Sequence, residues 1–260
     1  MNKIEEIINF NLHPINTSRF YIEECKNKLM KNSVLQLNNF LSDKSLNKIQ
    51  NEATQLQSKA YYCSQNHTIL LNKKNDNLSK HDPCNIEVIS DKGCVPHDLI
   101  PQESDLCKLY NSKVFKNFLE NVLNVKKIYP YKDALSSINY NYYEKGQQLG
   151  WHFDNASFAI TLMIQSPLSG GVFEYLSEGR NYEKKFIDKV LINSVLSNKK
   201  PGNKLSVKDG TLVLFYGRNY LHRVTPVISK KCRILVTLNY NLEKGIELSE
   251  NARLTFFGRI

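Results

Sequence analysis

Two imidazoles and one carboxylate in this chain have the types and the order to hold a metal ion. His152 and Asp154 stand two apart in Gly150-Trp151-His152-Phe153-Asp154, and His222 follows in Leu221-His222-Arg223-Val224-Thr225-Pro226-Val227. The order H-x-D…H is the ligand set of a 2-His-1-carboxylate facial triad. On an extended strand residues i and i+2 point to one face, so His152 and Asp154 can bind one ion together. His222 arrives as third ligand from a distant strand. Three protein donors leave one side of an octahedral iron open for an organic co-substrate and oxygen. A dicarboxylate held there needs a basic partner, and Arg233, eleven positions after His222 on the next strand, is the candidate.

H-x-D alone recurs by chance, and a lone His is more often a packed or surface residue than a ligand. The ordered sequel is more demanding. An apolar segment, Phe158 to Ile164, precedes Gly170-Gly171-Val172-Phe173; Asp209-Gly210 then leads a strand into His222 and Arg233. That series resembles the iron(II)/2-oxoglutarate oxygenases. His152-Phe153-Asp154-Asn155, Gly170 to Tyr175, Gly217 to Val227 and the closing Phe257-Gly258-Arg259 look more narrowly like the BesD/HalD-type family. That family comprises radical halogenases of free lysine and related amino acids, with their hydroxylase relatives. The likeness spans roughly residues 80 to 260 and is strongest from Gly150 to Asn241. It implies Fe(II), O2 and 2-oxoglutarate as co-substrate, its C5 carboxylate on Arg233, with Asn141 as a further co-substrate contact. It also places polar substrate contacts at Asn155, Thr237, Asn239 and Asp133, the last as partner of a substrate ammonium. The halogenases of the family carry Gly where this chain has Asp154, which opens an iron position for chloride. With that position filled by a carboxylate, the resemblance points to a hydroxylase acting on a free amino acid such as lysine. A hydroxylase of a peptidyl or carrier-bound side chain, a nucleic-acid demethylase, a non-catalytic metal-binding jelly roll and a zinc hydrolase are the rival readings. The last would not need Arg233.

The chain has 260 residues, enough for one domain or a barrel with an N-terminal cap. Hydrophobic residues make up 41% and charged residues 23%, ordinary for a soluble globular protein. No apolar run approaches the roughly 20 residues of a membrane span. Met1 to Asn9 has no signal-peptide core, so a cytoplasmic location is expected. The six Cys form no CxxC pair, and reduced, mostly buried thiols are expected. The formal charge of +10 comes from Lys scattered among Asn and Glu, not from a basic run interleaved with aromatics. Nucleic acid is thus not the expected partner; a small-molecule amino acid is. A homodimer is left open.

Helical spacing covers residues 1–32, interrupted at His13-Pro14. Val34 to Leu37 reads as a short strand. Ser42 or Asp43 offers an N-cap for a helix through Leu56. Residues 60–103 read as strands and loops that could fold over the site mouth, and His67, His81 and His97 as imidazoles outside any metal set. Pro101 to Val125 is helical. From residue 130 the pattern turns to strands, with a helical excursion around Ile187 to Leu196. In Arg233 to Tyr240, Arg233, Leu235, Thr237 and Asn239 share one face; Ile234, Val236, Leu238 and Tyr240 share the other. The apolar face should meet supporting helices and the polar face the cavity. Thr237 and Asn239 then either bind substrate or pair across strands. Trp151, beside the ligand, is expected as a wall of the site. About eight short strands with few helices between them fit a double-stranded β-helix, or jelly roll, mainly β with flanking helices. Residues 1–130 are expected as helical support and 131–260 as the catalytic core of one structural unit.

Overall fold

The computed structural model describes residues 3–260. Its main sheet has eleven strands, all antiparallel. In chain order they are β1 (Val34–Leu37), β2 (Tyr61–Thr68), β3 (Glu87–Val95), β4 (Ile138–Tyr143), β5 (Leu149–His152), β6 (Ala159–Gln165), β7 (Phe173–Tyr175), β8 (Asn203–Leu205), β9 (Leu212–Phe215), β10 (His222–Val224) and β11 (Arg233–Leu238). Their spatial order is β1-β9-β6-β11-β4-β3-β5-β10-β7-β8, with β2 paired to β3. The sheet curls into the expected jelly roll, and β3 is its joint. Gly93 to Val95 pair with β4, while Ser90 pairs with Leu149 of β5. One strand thus links the half that carries Arg233 to the half that carries His152.

Six α-helices accompany the sheet: α1 (Arg19–Asn32), α2 (Asp43–Leu56), α3 (Asp105–Asn111), α4 (Lys113–Val122), α5 (Lys189–Leu196) and α6 (Glu250–Phe257). The first four pack on the outer face of the larger half-sheet. Leu29, Ile49, Ala53, Leu109, Phe115 and Phe118 form one core with Ile138, Tyr140, Leu162, Leu214, Ile234 and Val236. Strand alternation explains the division: the even-numbered residues of β4 and β11 meet the helices, and the odd-numbered ones face the interior. Polar ties reinforce the layer. Tyr142 Oη donates to the Ala53 carbonyl at 2.8 Å, and Tyr140 Oη to Glu52 Oε1 at 2.7 Å.

The helix expected over residues 1–32 begins only at Arg19; Met1 and Asn2 lie outside the described residues. The helical spacing of Ile7 and Ile8 is satisfied by a single 3-10 turn, Lys3–Glu6, which leaves both buried. His13 then anchors the irregular stretch, with one ring nitrogen 2.6 Å from Tyr21 Oη and the other 2.8 Å from the Asn38 carbonyl. Ser18 supplies the cap, accepting from the Tyr21 N–H. The segment 101–125 is likewise two helices. Ser112 closes α3 and caps α4 through Phe115 N–H. Ser42 caps α2 as expected. Residues 60–103 hold the β2–β3 hairpin, part of the sheet itself, so the first 130 residues supply cavity wall as well as helical support.

Candidate active site

His152 closes β5 and His222 opens β10, and the two residues are direct cross-strand partners. Their rings lie 4.1 Å apart between centroids. Asp154, just past the end of β5, sets Oδ1 3.3 Å from His152 Nε2 and 3.5 Å from His222 Nε2. All three donor atoms fall within 4.8 Å of one another. Adjacent ligands of an octahedral ion with bonds of about 2.1 Å sit roughly 3 Å apart, so the set can close on one iron. No other group of three His, Cys, Asp or Glu among the described residues has this geometry.

The far nitrogens fix the tautomers. His152 Nδ1 donates to the Gly150 carbonyl at 2.8 Å, and His222 Nδ1 to the Tyr220 carbonyl at 2.9 Å. Each Nε2 lone pair is thereby turned toward the metal position, the outer support a ligating His requires. A further relay holds Gly150. Ser90 Oγ accepts the Gly150 N–H at 3.0 Å and lies 2.6 Å from His67 Nε2, while His67 Nδ1 lies 2.8 Å from the Thr68 carbonyl. The Thr68 carbonyl and Ser90 Oγ thus hold the His67 ring from both sides. Burial would raise the Asp154 carboxyl, but His222 and His152 outweigh it and hold the group well below the ordinary carboxylate range. Burial, then the nearby His222, pushes His152 down, which favours the neutral, ligating imidazole.

Backbone approach admits the carboxylate. The Asp154 N–H donates to the Gly217 carbonyl at 3.0 Å, and a Cβ on Gly217 would overlap Asp154 Oδ2. Gly171, at φ +60°, does the same for Arg233: a Cβ there would lie 3.0 Å from Arg233 Cδ.

Arg233 is 2% exposed, and its Nε and Nη1 have no hydrogen-bond partner. Its guanidinium carbon stands 5.1 Å from the Tyr143 ring centre. Burial lowers its pKa. An unpaired buried guanidinium is costly unless an anion completes it, and its fork suits a carboxylate. This is the fit expected for the C5 carboxylate of 2-oxoglutarate. Both the triad and Arg233 open onto one cavity of about 350 Å³.

Asn141, Asn155, Thr237 and Asn239 all line that cavity. Asn155 is exposed at its mouth. Asn239 Nδ2 donates to the Ser136 carbonyl and Asn139 Oδ1, and lies 3.3 Å from Thr237 Oγ1. Thr237 and Asn239 thus hydrogen-bond to each other and, through Asn139 and Asn141, across strands, on the face turned to the interior. Asp133 is elsewhere. Its Oδ1 accepts the N–H groups of Leu135 and Ser136, its Oδ2 that of Leu248, and it does not line the cavity. A carboxylate committed to three backbone donors organises a turn and leaves no partner for a substrate ammonium. Trp151 is also not a wall of the site. One residue from His152 on a strand, it faces away, into a cluster with Phe153, Leu176, Ile192 and Leu221 under the Arg223 guanidinium.

The sequence reading missed Lys92. From β3 it extends into the cavity, donating to Asn141 Oδ1 at 2.6 Å, with its ammonium 5.2 Å from the Phe256 ring centre. The available signal was the period-two set Ser90, Lys92, Cys94, all of which line the cavity. No hydrophobic alternation on that stretch advertised a strand.

A family model, Halogenase D, matches residues 17–253, and the chain belongs to that family. No curated protein matches the sequence. Among solved structures, a 2OG-Fe(II) oxygenase-family oxidoreductase from Burkholderia pseudomallei superposes at TM-score 0.56 with 13% identity, covering 88% of this chain and 95% of that one. The epimerase SnoN in complex with Fe3+, alpha ketoglutarate and nogalamycin RO gives 0.54 at 9% identity, covering 84% and 82%. A Pseudomonas putida prolyl-4-hydroxylase gives 0.51 at 12% identity, covering 83% and 96%. These likenesses establish the fold. Family, fold and donor set together make the protein an iron(II)- and 2-oxoglutarate-dependent non-haem oxygenase, with O2 as the second co-substrate.

Proposed function

We propose that the protein hydroxylates an unactivated carbon of a free amino acid. The observation that carries this reading is Asp154, whose Oδ1 stands beside both imidazole Nε2 atoms. With iron held by these residues, the Asp154 carboxylate would take the position a halide would need and would put negative charge where chloride would have to enter. Iron(II) with 2-oxoglutarate and O2 supplies the oxidant: one oxygen atom goes to the substrate C–H bond and the other to succinate, with release of CO2. The protein's part is positional. Arg233 is suited to grip the C5 carboxylate in a charge-assisted contact. The carbonyls of Gly150 and Tyr220 hold both imidazoles as Nε2 donors. Phe173 and Phe215, with ring centres 5.7 and 4.9 Å from that of His222, shield that ligand from water.

The test is incubation of the iron-loaded protein with candidate amino acids under isotopically labelled oxygen and excess chloride. A product heavier by one labelled oxygen supports the reading, and a chlorinated main product overturns it. Turnover of peptidyl or carrier-bound substrates alone would keep the reaction and replace the substrate.

A further inference from the structure

We propose that the substrate is anchored through a carboxylate by Lys92 and carries an uncharged, largely apolar side chain, so that the cationic side chain of lysine or arginine is not what this cavity takes. This rests on the hydroxylase reading of the same site and narrows its substrate.

The charge inventory of the cavity carries the argument. The sole acidic side chain facing it among the described residues is Asp154, which belongs to the metal set. Two cations face it, Arg233 and Lys92. They serve different ends. Arg233 sits beside Tyr143, whereas the Lys92 ammonium reaches Asn141, two residues earlier on β4. Lys92 forms no ion pair among the described residues. One of its three N–H donors is spent on Asn141 and two remain for a ligand. Burial opposes its charge, but Tyr143, Cys94, Cys63 and Asp154 outweigh burial and keep its pKa above the ordinary lysine value.

A second group points the same way. Ser136 Oγ lines the cavity, is buried and has no hydrogen-bond partner. It is tied to Lys92 by a continuous chain: Lys92 to Asn141 Oδ1, Asn141 Nδ2 to the Asn139 carbonyl, and Asn239 Nδ2 to both Asn139 Oδ1 and the Ser136 carbonyl. The chain turns the amide N–H groups of Asn139, Asn141 and Asn239 onto protein oxygens. Along this chain the donors left for a ligand are the Lys92 ammonium and the Ser136 hydroxyl.

The cavity wall also holds Leu71, Tyr131, Leu149, Leu248, Phe256 and Phe257, with Phe256 against the Lys92 ammonium. An ammonium-bearing side chain laid there would lose its hydration and meet no acidic side chain other than Asp154 of the metal set. An aliphatic or aromatic side chain would lose nothing of the kind.

The experiment uses the anaerobic protein loaded with iron(II) and 2-oxoglutarate. Perturbation of its visible charge-transfer band reports substrate binding without turnover; mass detection after oxygen is admitted reports products. Leucine, methionine and phenylalanine are compared with lysine and arginine, and each with its carboxamide. At least one neutral side chain should bind and be hydroxylated, its carboxamide at least about thirtyfold more weakly, the loss expected for one buried charged contact. Lys92→Met should raise the substrate KM by a similar factor and leave the 2-oxoglutarate KM within about threefold, with Lys92→Arg restoring most of the affinity. Circular dichroism of both variants separates a lost contact from a lost fold. Preference for lysine or arginine, equal binding of the carboxamides, or a Lys92→Met effect on 2-oxoglutarate in place of substrate would each overturn the proposal. If no free acid binds, substrate-independent conversion of 2-oxoglutarate to succinate tells the failures apart. Its persistence sinks only the substrate class, and its absence sinks the oxygenase reading beneath it.

Discussion

Gly217 is where one missing Cβ decides whether a carboxylate can reach the metal position. Its backbone carbonyl accepts the Asp154 N–H, and the Asp154 side chain occupies the space a Cβ would fill. Gly217→Ala should therefore displace Asp154 while leaving the barrel intact. Iron affinity is expected to fall about 10- to 100-fold, the range for a change in the shell supporting a ligand, with little change in thermal midpoint. Equilibrium iron titration against a chelator checks this. At Arg233 the expected defect is in the co-substrate. Removing the buried guanidinium leaves a carboxylate without its partner, a loss of roughly 2–5 kcal/mol. Arg233→Ala should raise the apparent 2-oxoglutarate dissociation constant more than tenfold and move the substrate constant far less. A smaller shift would transfer the role to another basic group, with Arg218 and Arg223 next to be tested.

At the scale of elements, a polar contact ties α2 to β4. Glu52 projects from α2 and accepts from Tyr140 Oη at 2.7 Å and from Ser104 Oγ at 2.9 Å. Burial raises its pKa, more than these two hydrogen bonds lower it. The folded state thus holds a proton that the unfolded chain gives up at an ordinary carboxylate pKa. Folding stability from this group is greatest below the unfolded value and declines as pH rises through the raised folded value. Glu52→Gln keeps an acceptor for Tyr140 and removes the ionisation. The stability difference, variant minus parent, should move in favour of Gln as pH is raised from about 4 to 7. Urea midpoints at several pH values measure it. A difference that is flat, or that moves the other way, would mean that Glu52 stays ionised throughout.

For the molecule as a whole, the chemistry of the thiols follows from how completely the fold closes. All six Cys are free, and four of them are buried. Burial pushes Cys94 up to about 12 and Cys107 and Cys232 up to about 11. Thiolate is the reactive form, so these groups should be inert at pH 8 in the native protein and react only on unfolding. Thiol-reagent labelling in native buffer and in denaturant, resolved by peptide mass mapping, tests this. Rapid native labelling of Cys94 would show that the cavity wall opens. Among the described residues no helix is long and apolar enough to cross a membrane. Of the cations behind the +10 charge, Lys92 and Arg233 are turned inward to the cavity.

What the sequence determined by itself are the features written in local chemistry. His152 and Asp154 share a face because a strand has period two, and the alternation Arg233, Leu235, Thr237, Asn239 announces a polar interior wall for the same reason. The Ser42 cap and the apolar stripe of α2 are equally local, since a cap and its N–H lie within one turn. Tertiary structure decided the rest, wherever a role depends on which strands become neighbours. Nothing near Lys92 in the chain indicates that β3 would join the two half-sheets and carry its ammonium to Asn141. Asp133 looks like any available carboxylate until the C-terminal segment brings Leu248 N–H against it. Trp151 and His152 are adjacent in sequence yet serve opposite faces, and only the curl of the sheet says which face is the cavity. Long-range pairing fixes those choices through the burial and hydrogen bonding of groups remote in sequence, which a local pattern does not encode.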